Sequence, residues 1–248
     1  MSTDLKLLES WRGGDIKAGD QLFELYFEQI ARFFQNKLPE AWPDLVQQTF
    51  MACVEGRERI RSTSSFRSYL FGIAHNQLRK FLRNRYRQGR EIDFEEASMH
   101  DLEPGPLQMV MERREERLLL QALRDIPVDH QVLLELRYWE DMTSREISEV
   151  LGIKHSTLRT RIQRARELLR QALERHAASV AILASTMDNI EAWVLRCRSQ
   201  LMADAESLLH AGARPEQVVE RSFERSFERS LGESLRESSG LSPGQPPG

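Results

Sequence analysis

The stretch Thr143-Ser144-Arg145-Glu146-Ile147-Ser148-Glu149-Val150-Leu151-Gly152-Ile153-Lys154-His155-Ser156-Thr157-Leu158-Arg159-Thr160-Arg161 decides how the C-terminal half of this 248-residue chain is read. Thr143 and Glu146 stand at capping-box spacing, where each side chain can bond the other residue's free backbone N–H and start a helix. Gly152 permits the left-handed backbone that ends a helix. Ser156 can then cap a second helix, along which Leu158, Ile162, Ala165, Leu169 and Ala172 recur at helical spacing and face inward. That is a helix-turn-helix. Its second helix enters the major groove, because only there do base edges present a discriminating pattern of donors and acceptors. Arg159, Thr160, Gln163 and Arg164 remain on the outer face, where arginine suits guanine edges and, with Lys154, phosphates.

Most charge runs are simply solvated helix faces. Two features weigh against that reading here: Lys154 to Arg170 holds six basic residues against Glu167 alone, and the run follows a well-formed turn. A solvated face usually alternates its charges to gain pairs four residues apart.

The net charge of -3 hides strong segregation. Arg57 to Arg90 carries ten arginines and lysines against Glu58 alone, and the segment that follows carries Glu91, Asp93, Glu95, Glu96, Asp101 and Glu103. Two basic modules joined by an acidic tether are implied, and distribution matters more than the sum for binding a polyanion.

Composition sets the outer limits. An apolar fraction of 40% with 29% charged residues reads as globular, and no apolar run is long enough to cross a bilayer. The first twenty residues mix Asp4, Lys6, Glu9, Arg12 and Asp15 with apolar residues, unlike a secretory signal, so the expected location is the cytoplasm, with no membrane partner. Cys53 and Cys197 have no neighbours at ligand spacing, so no metal site, cofactor or disulfide framework is expected.

Nearly every periodic stretch has helical spacing, which predicts an all-α fold of two small helical domains joined by a flexible linker. The first domain occupies residues 1–88. Leu22, Phe23, Tyr26, Phe27, Ile30, Phe33 and Phe34 mark one helix, and Leu45, Val46, Thr49, Phe50 and Cys53 a second after Trp42-Pro43. A third helix starts at Ser64 or Ser65 and carries Phe66, Tyr69, Leu70, Ile73, Gln77 and Phe81 inward. Residues 89–110, with Pro104-Gly105-Pro106, read as an acidic flexible linker, and residues 111–176 as the helix-turn-helix domain. A helical extension is expected over 177–232 and a disordered tail over 233–248, which closes on Pro-rich sequence.

On the third helix, Gly72, Asn76, Arg79 and Arg83 share one face beside the apolar stripe. Such a face suits duplex or partly opened DNA, with arginine on phosphate and Asn76 on a base edge, and the small polar loop from Arg61 to Ser65 could take an extruded base. A plain basic surface is the alternative.

At this point the residues resemble the extracytoplasmic-function sigma factors. Asp44-Leu45-Val46-Gln47-Gln48-Thr49-Phe50 is similar to the Asp-Leu-x-Gln-x-x-Phe pattern of that family's second conserved region, and Ser65-Phe66-Arg67-Ser68-Tyr69-Leu70-Phe71-Gly72-Ile73-Ala74-His75-Asn76 resembles its promoter-melting segment. Leu123 to Pro127, and Glu146-Ile147 through Arg164-Ala165-Arg166, resemble its fourth region. The resemblance spans Leu7 to His176 and implies a non-enzymatic protein that binds core RNA polymerase and directs promoter recognition, melting and transcription initiation. It implies that Asp44, Gln47 and Gln48 meet core polymerase at the largest subunit's clamp coiled coil, with the second domain at the flap region. It also implies that Ser64, Ser65, Asn76, Arg79 and Arg83 read and open the minus-ten element, and that Ser156, Thr157, Arg159, Thr160, Gln163 and Arg164 read the minus-thirty-five element. Tyr69 departs from a usual Trp and Ser148 from a common Ala. The extension after His176 lies outside the pattern, and an anti-sigma factor or a signalling partner is its candidate ligand.

No Gly-rich phosphate loop, His-Glu-x-x-His motif or nucleophile paired with a base is present in the sequence, so no catalytic residue is assigned. The competing readings are a helix-turn-helix regulator that acts without core polymerase, and an adaptor that acts through the extension.

Overall fold

The computed structural model describes residues 3–35, 37–60, 66–86, 92–102 and 114–176. Among them the chain is helical throughout, apart from turns and one isolated bridge between Ser98 and Pro127. The elements are α1 (Thr3–Arg12), α2 (Ile16–Gln35), α3 (Trp42–Glu55), a short 3₁₀ turn (Arg57–Arg59), α4 (Phe66–Tyr86), α5 (Met99–Leu102), α6 (Arg114–Asp125), α7 (Val128–Leu134), a π-helical turn (Glu135–Trp139), α8 (Ser144–Leu151) and α9 (His155–His176). None of the described helices is long and apolar enough to cross a membrane.

The first module is a bundle of α1 to α4 around an aromatic core. The expected stripes on α2 and α3 are the ones buried, and they meet where the Phe23 and Phe50 rings lie 4.7 Å apart. Pro43 sits in the first turn of α3, where its missing N–H costs nothing. Helix α1 adds Leu8 and Trp11, and the Trp11 ring stands edge-on to Phe23 at 5.4 Å. Gly19 lets α2 approach that ring, since a Cβ there would lie 2.6 Å from Trp11 Cδ1.

Helix α4 differs from the expected inward stripe. Phe66 and Leu70 are buried, but Tyr69, Ile73, Gln77 and Phe81 are only half-buried, while Phe71, Ala74, His75, Leu78 and Leu82 are buried instead. The cause is that α4 is covered from two sides: α2 and α3 pack on one, and α8 of the second module packs on the other.

In the second module, α6, α7, α8 and α9 bury Leu119, Leu123, Val132, Leu136, Ile147, Leu158, Ala165 and Leu169 around one centre. The helix-turn-helix forms as its capping residues require. Thr143 Oγ1 accepts a bond from Glu146 N at 3.3 Å, and the Glu146 carboxylate accepts one from Thr143 N at 2.9 Å. Gly152 takes φ +65°, which places the Ile153 N–H 3.1 Å from the Ser148 carbonyl. Helix α9 begins at His155, so Ser156 lies inside its first turn instead of preceding it as a cap.

The described part of the segment read as a linker is held down between the modules. Phe94 and Met99 are buried, and the Ala97 and Phe94 carbonyls accept bonds from Val128 N and Asp129 N, each at 3.0 Å. Ser98 and Asp101 bond each other across the start of α5, with Ser98 Oγ donating at 2.6 Å. The extension expected over 177–232 and the tail over 233–248 lie outside the described residues.

Three polar clusters join the modules. Lys37 is fully buried at the end of α2, where its ammonium donates to the Phe33 carbonyl at 2.7 Å and to Glu135. Gln131 steadies the same carboxylate at 3.0 Å, and Arg124 donates to the Lys37 carbonyl at 3.1 Å. Glu140 faces both Arg32 at 3.5 Å and Arg67 at 3.1 Å, and Arg67 also bonds the Glu140 carbonyl. Asp129 meets His75 at 3.5 Å and Arg79 at 3.7 Å.

Three substitutions check this account by denaturant unfolding of the purified chain. Thr143→Ala removes the cap and is expected to cost about 1 kcal/mol. Gly152→Ala forces a Cβ into left-handed backbone at a cost of about 1–2 kcal/mol. Phe50→Ala opens a cavity in the first module and is expected to cost about 3–5 kcal/mol.

Candidate nucleic-acid interface

Once α9 buries Leu158, Ala165, Leu169, Ala172 and Leu173, the opposite side of its first three turns is committed to solvent. Ser156, Thr157, Arg159, Thr160, Gln163 and Arg164 are all exposed there. Lys154 is exposed in the turn before it. The arrangement offers two arginines, a glutamine amide and three hydroxyls on one convex surface. These groups can donate to base edges and phosphates together. Further along the helix, Arg170 is occupied by Glu167 at 2.6 Å and by Glu174 one turn on, so the base of α9 is knit to itself. Arg170 holds the Glu167 carboxyl down at about 2.

On α4, Asn76 and Arg83 are exposed and Arg79 is half-buried beside them, which keeps three members of the expected face together. The two arginines are not bare. Their guanidinium groups lie over the Phe94 ring, at 4.8 Å for Arg79 and 5.5 Å for Arg83. Ser64 and Ser65 fall outside the described residues. On α3, Asp44, Gln47 and Gln48 occupy successive turns of the side opposite the buried stripe, with Asp44 and Gln48 exposed and Gln47 half-buried.

Several functional neighbours were not legible in the sequence. His75 is buried beside Asp129, and Arg161 is drawn away from the exposed face of α9 by Glu95, 2.6 Å away. Burial alone would raise the Asp129 carboxyl, but His75 and Arg79 hold it below its ordinary range. Burial and the positive charge of Arg161 lower the neighbouring His130 imidazole. A cavity of about 190 Å³ opens at this junction, lined by His75, Arg79, Asp93, Glu95, Asp129, Leu151, Ile153 and Arg161. Its walls come from α4, the inter-module segment, α7 and both helix-turn-helix elements. The one signal available beforehand was the segregation of opposite charge between the acidic segment and the basic stretches on either side.

Comparison with known proteins agrees with this layout. Residues 24–88 match the family described as sigma-70 region 2, and residues 116–169 match sigma-70 region 4. The ECF RNA polymerase sigma-E factor of Haemophilus influenzae is 26% identical over 181 residues, which is 69% of this chain and 96% of that protein. The ECF RNA polymerase sigma-E factor of Escherichia coli K12 is 25% identical over 176 residues, 67% of this chain and 92% of that one. Among solved structures, CnrH in complex with the cytosolic domain of CnrY is similar in fold, with a TM-score of 0.52 and 24% identity over 71% of this chain and 100% of CnrH. The order of the two sigma regions, with the helix-turn-helix in the second and relatives matched along nearly their whole length, places the chain in the extracytoplasmic-function (ECF) family of RNA polymerase sigma factors.

Proposed function

We propose that the sigma-factor activity of this chain is divided among three side-chain sets. The chain is a polymerase-binding sigma factor that directs promoter recognition. In our reading Ser156, Thr157, Arg159, Thr160, Gln163 and Arg164 read the minus-thirty-five element. Ser64, Ser65, Asn76, Arg79 and Arg83 read and open the minus-ten element, and Asp44, Gln47 and Gln48 dock on the clamp coiled coil of the largest polymerase subunit. The second module would lie at the flap, and the work would be done in the cytoplasm. The observation that carries the reading is the exposure of all six α9 side chains on one face while the apolar stripe of the same helix is buried.

The chemistry is recognition and positioning. Arg159 and Arg164 offer forked donors that match guanine edges or phosphates, and Gln163 offers the amide pair that matches adenine. Asn76 offers a base-reading amide beside two arginines able to neutralise phosphate. Neither surface need bind tightly alone. When both are carried on one polymerase, the second contact becomes intramolecular and weak contacts act together. Residues 177–232 are a candidate seat for an anti-sigma factor or signalling partner, which transcription by a chain ending at His176 would reveal as a change in output.

Transcription in vitro with core polymerase and a random promoter library tests the activity. The expected outcome is defined start sites that depend on this chain, and tight operator binding with no core association would overturn it. Arg159→Ala with Arg164→Ala is expected to lower upstream-element discrimination by about 1–3 kcal/mol per lost contact, read as flattened sequence preference, with core binding unchanged. Asp44→Ala with Gln48→Ala is expected to weaken co-purification with core while leaving the thermal stability of the chain unaltered, because both side chains are exposed.

A further inference from the structure

The outward face of α2 carries a ladder of like charge with nothing set against it. Asp20, Glu24 and Glu28 recur every four residues, so neighbouring carboxylates stand one turn apart and repel. Among the described residues none of the three forms an ion pair, and Arg32, one turn beyond Glu28, is turned instead to Glu140 at 3.5 Å. Burial and the charge of Glu24 raise the Asp20 carboxyl above its ordinary range. Leu25 stands at the edge of the same face and is 52% exposed, one of two large apolar side chains so placed among the described residues. A face of this composition fits a partner that brings positive charge together with an apolar side chain.

The chain itself supplies such a segment. Arg221-Ser222-Phe223-Glu224-Arg225-Ser226-Phe227-Glu228-Arg229-Ser230-Leu231, which lies outside the described residues, repeats with a period of four. In an extended backbone successive side chains point to opposite sides, so the arginines, phenylalanines and Leu231 share one side and the serines and glutamates the other. Arg221 and Arg225 are then about 13 Å apart with Phe223 between them. On α2, Asp20 and Glu28 are about 12 Å apart along the axis, and Leu25 falls between them. A helical form would not serve, because two residues turn by about 200° and part each arginine from its phenylalanine. The reach is also sufficient. His176 Nε2, at the end of α9, lies 2.7 Å from the Asp125 carboxylate, and the adjoining Arg124 donates to the Lys37 carbonyl at 3.1 Å, just past the end of α2. From Gln35 back to Asp20, α2 runs about 22 Å. The 45 residues from His176 to Arg221 span about 150 Å at full extension and about 35–40 Å as a random coil.

We propose that the outward face of α2, built from Asp20, Glu24, Leu25 and Glu28, is the docking surface of this chain's own segment Arg221 to Leu231, which lies along it in extended form with arginines on the carboxylates and a phenylalanine on Leu25. Each surface pair is weak in water, but the tether makes the contact intramolecular, so that several weak pairs act together. The docking is independent of how the promoter-reading surfaces are assigned, because none of its residues belongs to them.

The test is disulfide trapping in the full chain carrying Cys197→Ser, which leaves the buried Cys53 as the only native thiol. Leu25→Cys with Phe227→Cys is compared with Gln171→Cys with Phe227→Cys, whose first thiol is exposed on α9 and closer to where the extension begins. Under copper-phenanthroline oxidation the Leu25 pair is expected to close at least about tenfold faster than the α9 pair, as a monomer. Adding Arg225→Glu and Arg229→Glu should erase that advantage, further addition of Glu24→Arg and Glu28→Arg should restore it, and rising salt should reduce it. Amide exchange over residues 221–231 gives a readout that needs no introduced thiol: it should be slower in the unaltered chain than in the chain with Glu24→Arg and Glu28→Arg. A Leu25 pair that closes no faster than the α9 pair overturns the docking, and so does trapping that ignores the charge reversals. Disulfide-linked dimers whose rate of formation rises with protein concentration overturn it in favour of a second copy of the chain.

Discussion

Lys37 is an ammonium with no access to water, enclosed between the end of α2 and the π-helical turn that carries Glu135. Burying an ion costs several kcal/mol unless its hydrogen bonds are met. Here the Phe33 carbonyl, the Phe33 ring and Glu135 meet them, and burial still draws the ammonium below its usual range. Glu135 in turn is steadied by Gln131, and the Lys37 carbonyl by Arg124. The first module can keep this residue buried only while the second supplies the carboxylate. That pairing is one constraint on the relative placement of the two modules, beside the packing of α8 on α4.

The same logic repeats along α4. At 1.5 Å per residue, the sixteen steps from Arg67 to Arg83 run about 24 Å. Arg67 meets Glu140 near one end, His75 and Arg79 meet Asp129 in the middle, and Arg83 rests on Phe94 near the other. One helix therefore serves as a wall of the first core and as the partner of α8, and it carries the face that we propose for nucleic acid. The charged part of this interface repays its desolvation only while its geometry is good.

The helix-turn-helix packs α8 on α4, but its local shape is set within its own stretch of chain. Its shape comes from a capping box, a left-handed glycine and a stripe of small and branched apolar residues, all within one stretch of chain.

The all-α architecture, the two modules, the stripes on α2 and α3, the turn at Gly152 and the exposed face of α9 were legible in the sequence, because each is set by residues a few positions apart through caps, helical periodicity and backbone sterics. The alignment of Asn76, Arg79 and Arg83 was legible for the same reason. Tertiary structure alone decided which faces of α4 are covered, that His75 and Lys37 are buried, that Arg161 is paired while Arg159 and Arg164 are exposed, and that an acidic segment without periodicity closes over two basic helices. Several of those outcomes join residues far apart in the chain, 108 positions for Arg32 with Glu140 and 54 for His75 with Asp129. No local pattern carries such pairings. They depend on which desolvated charges can be satisfied once both modules have formed.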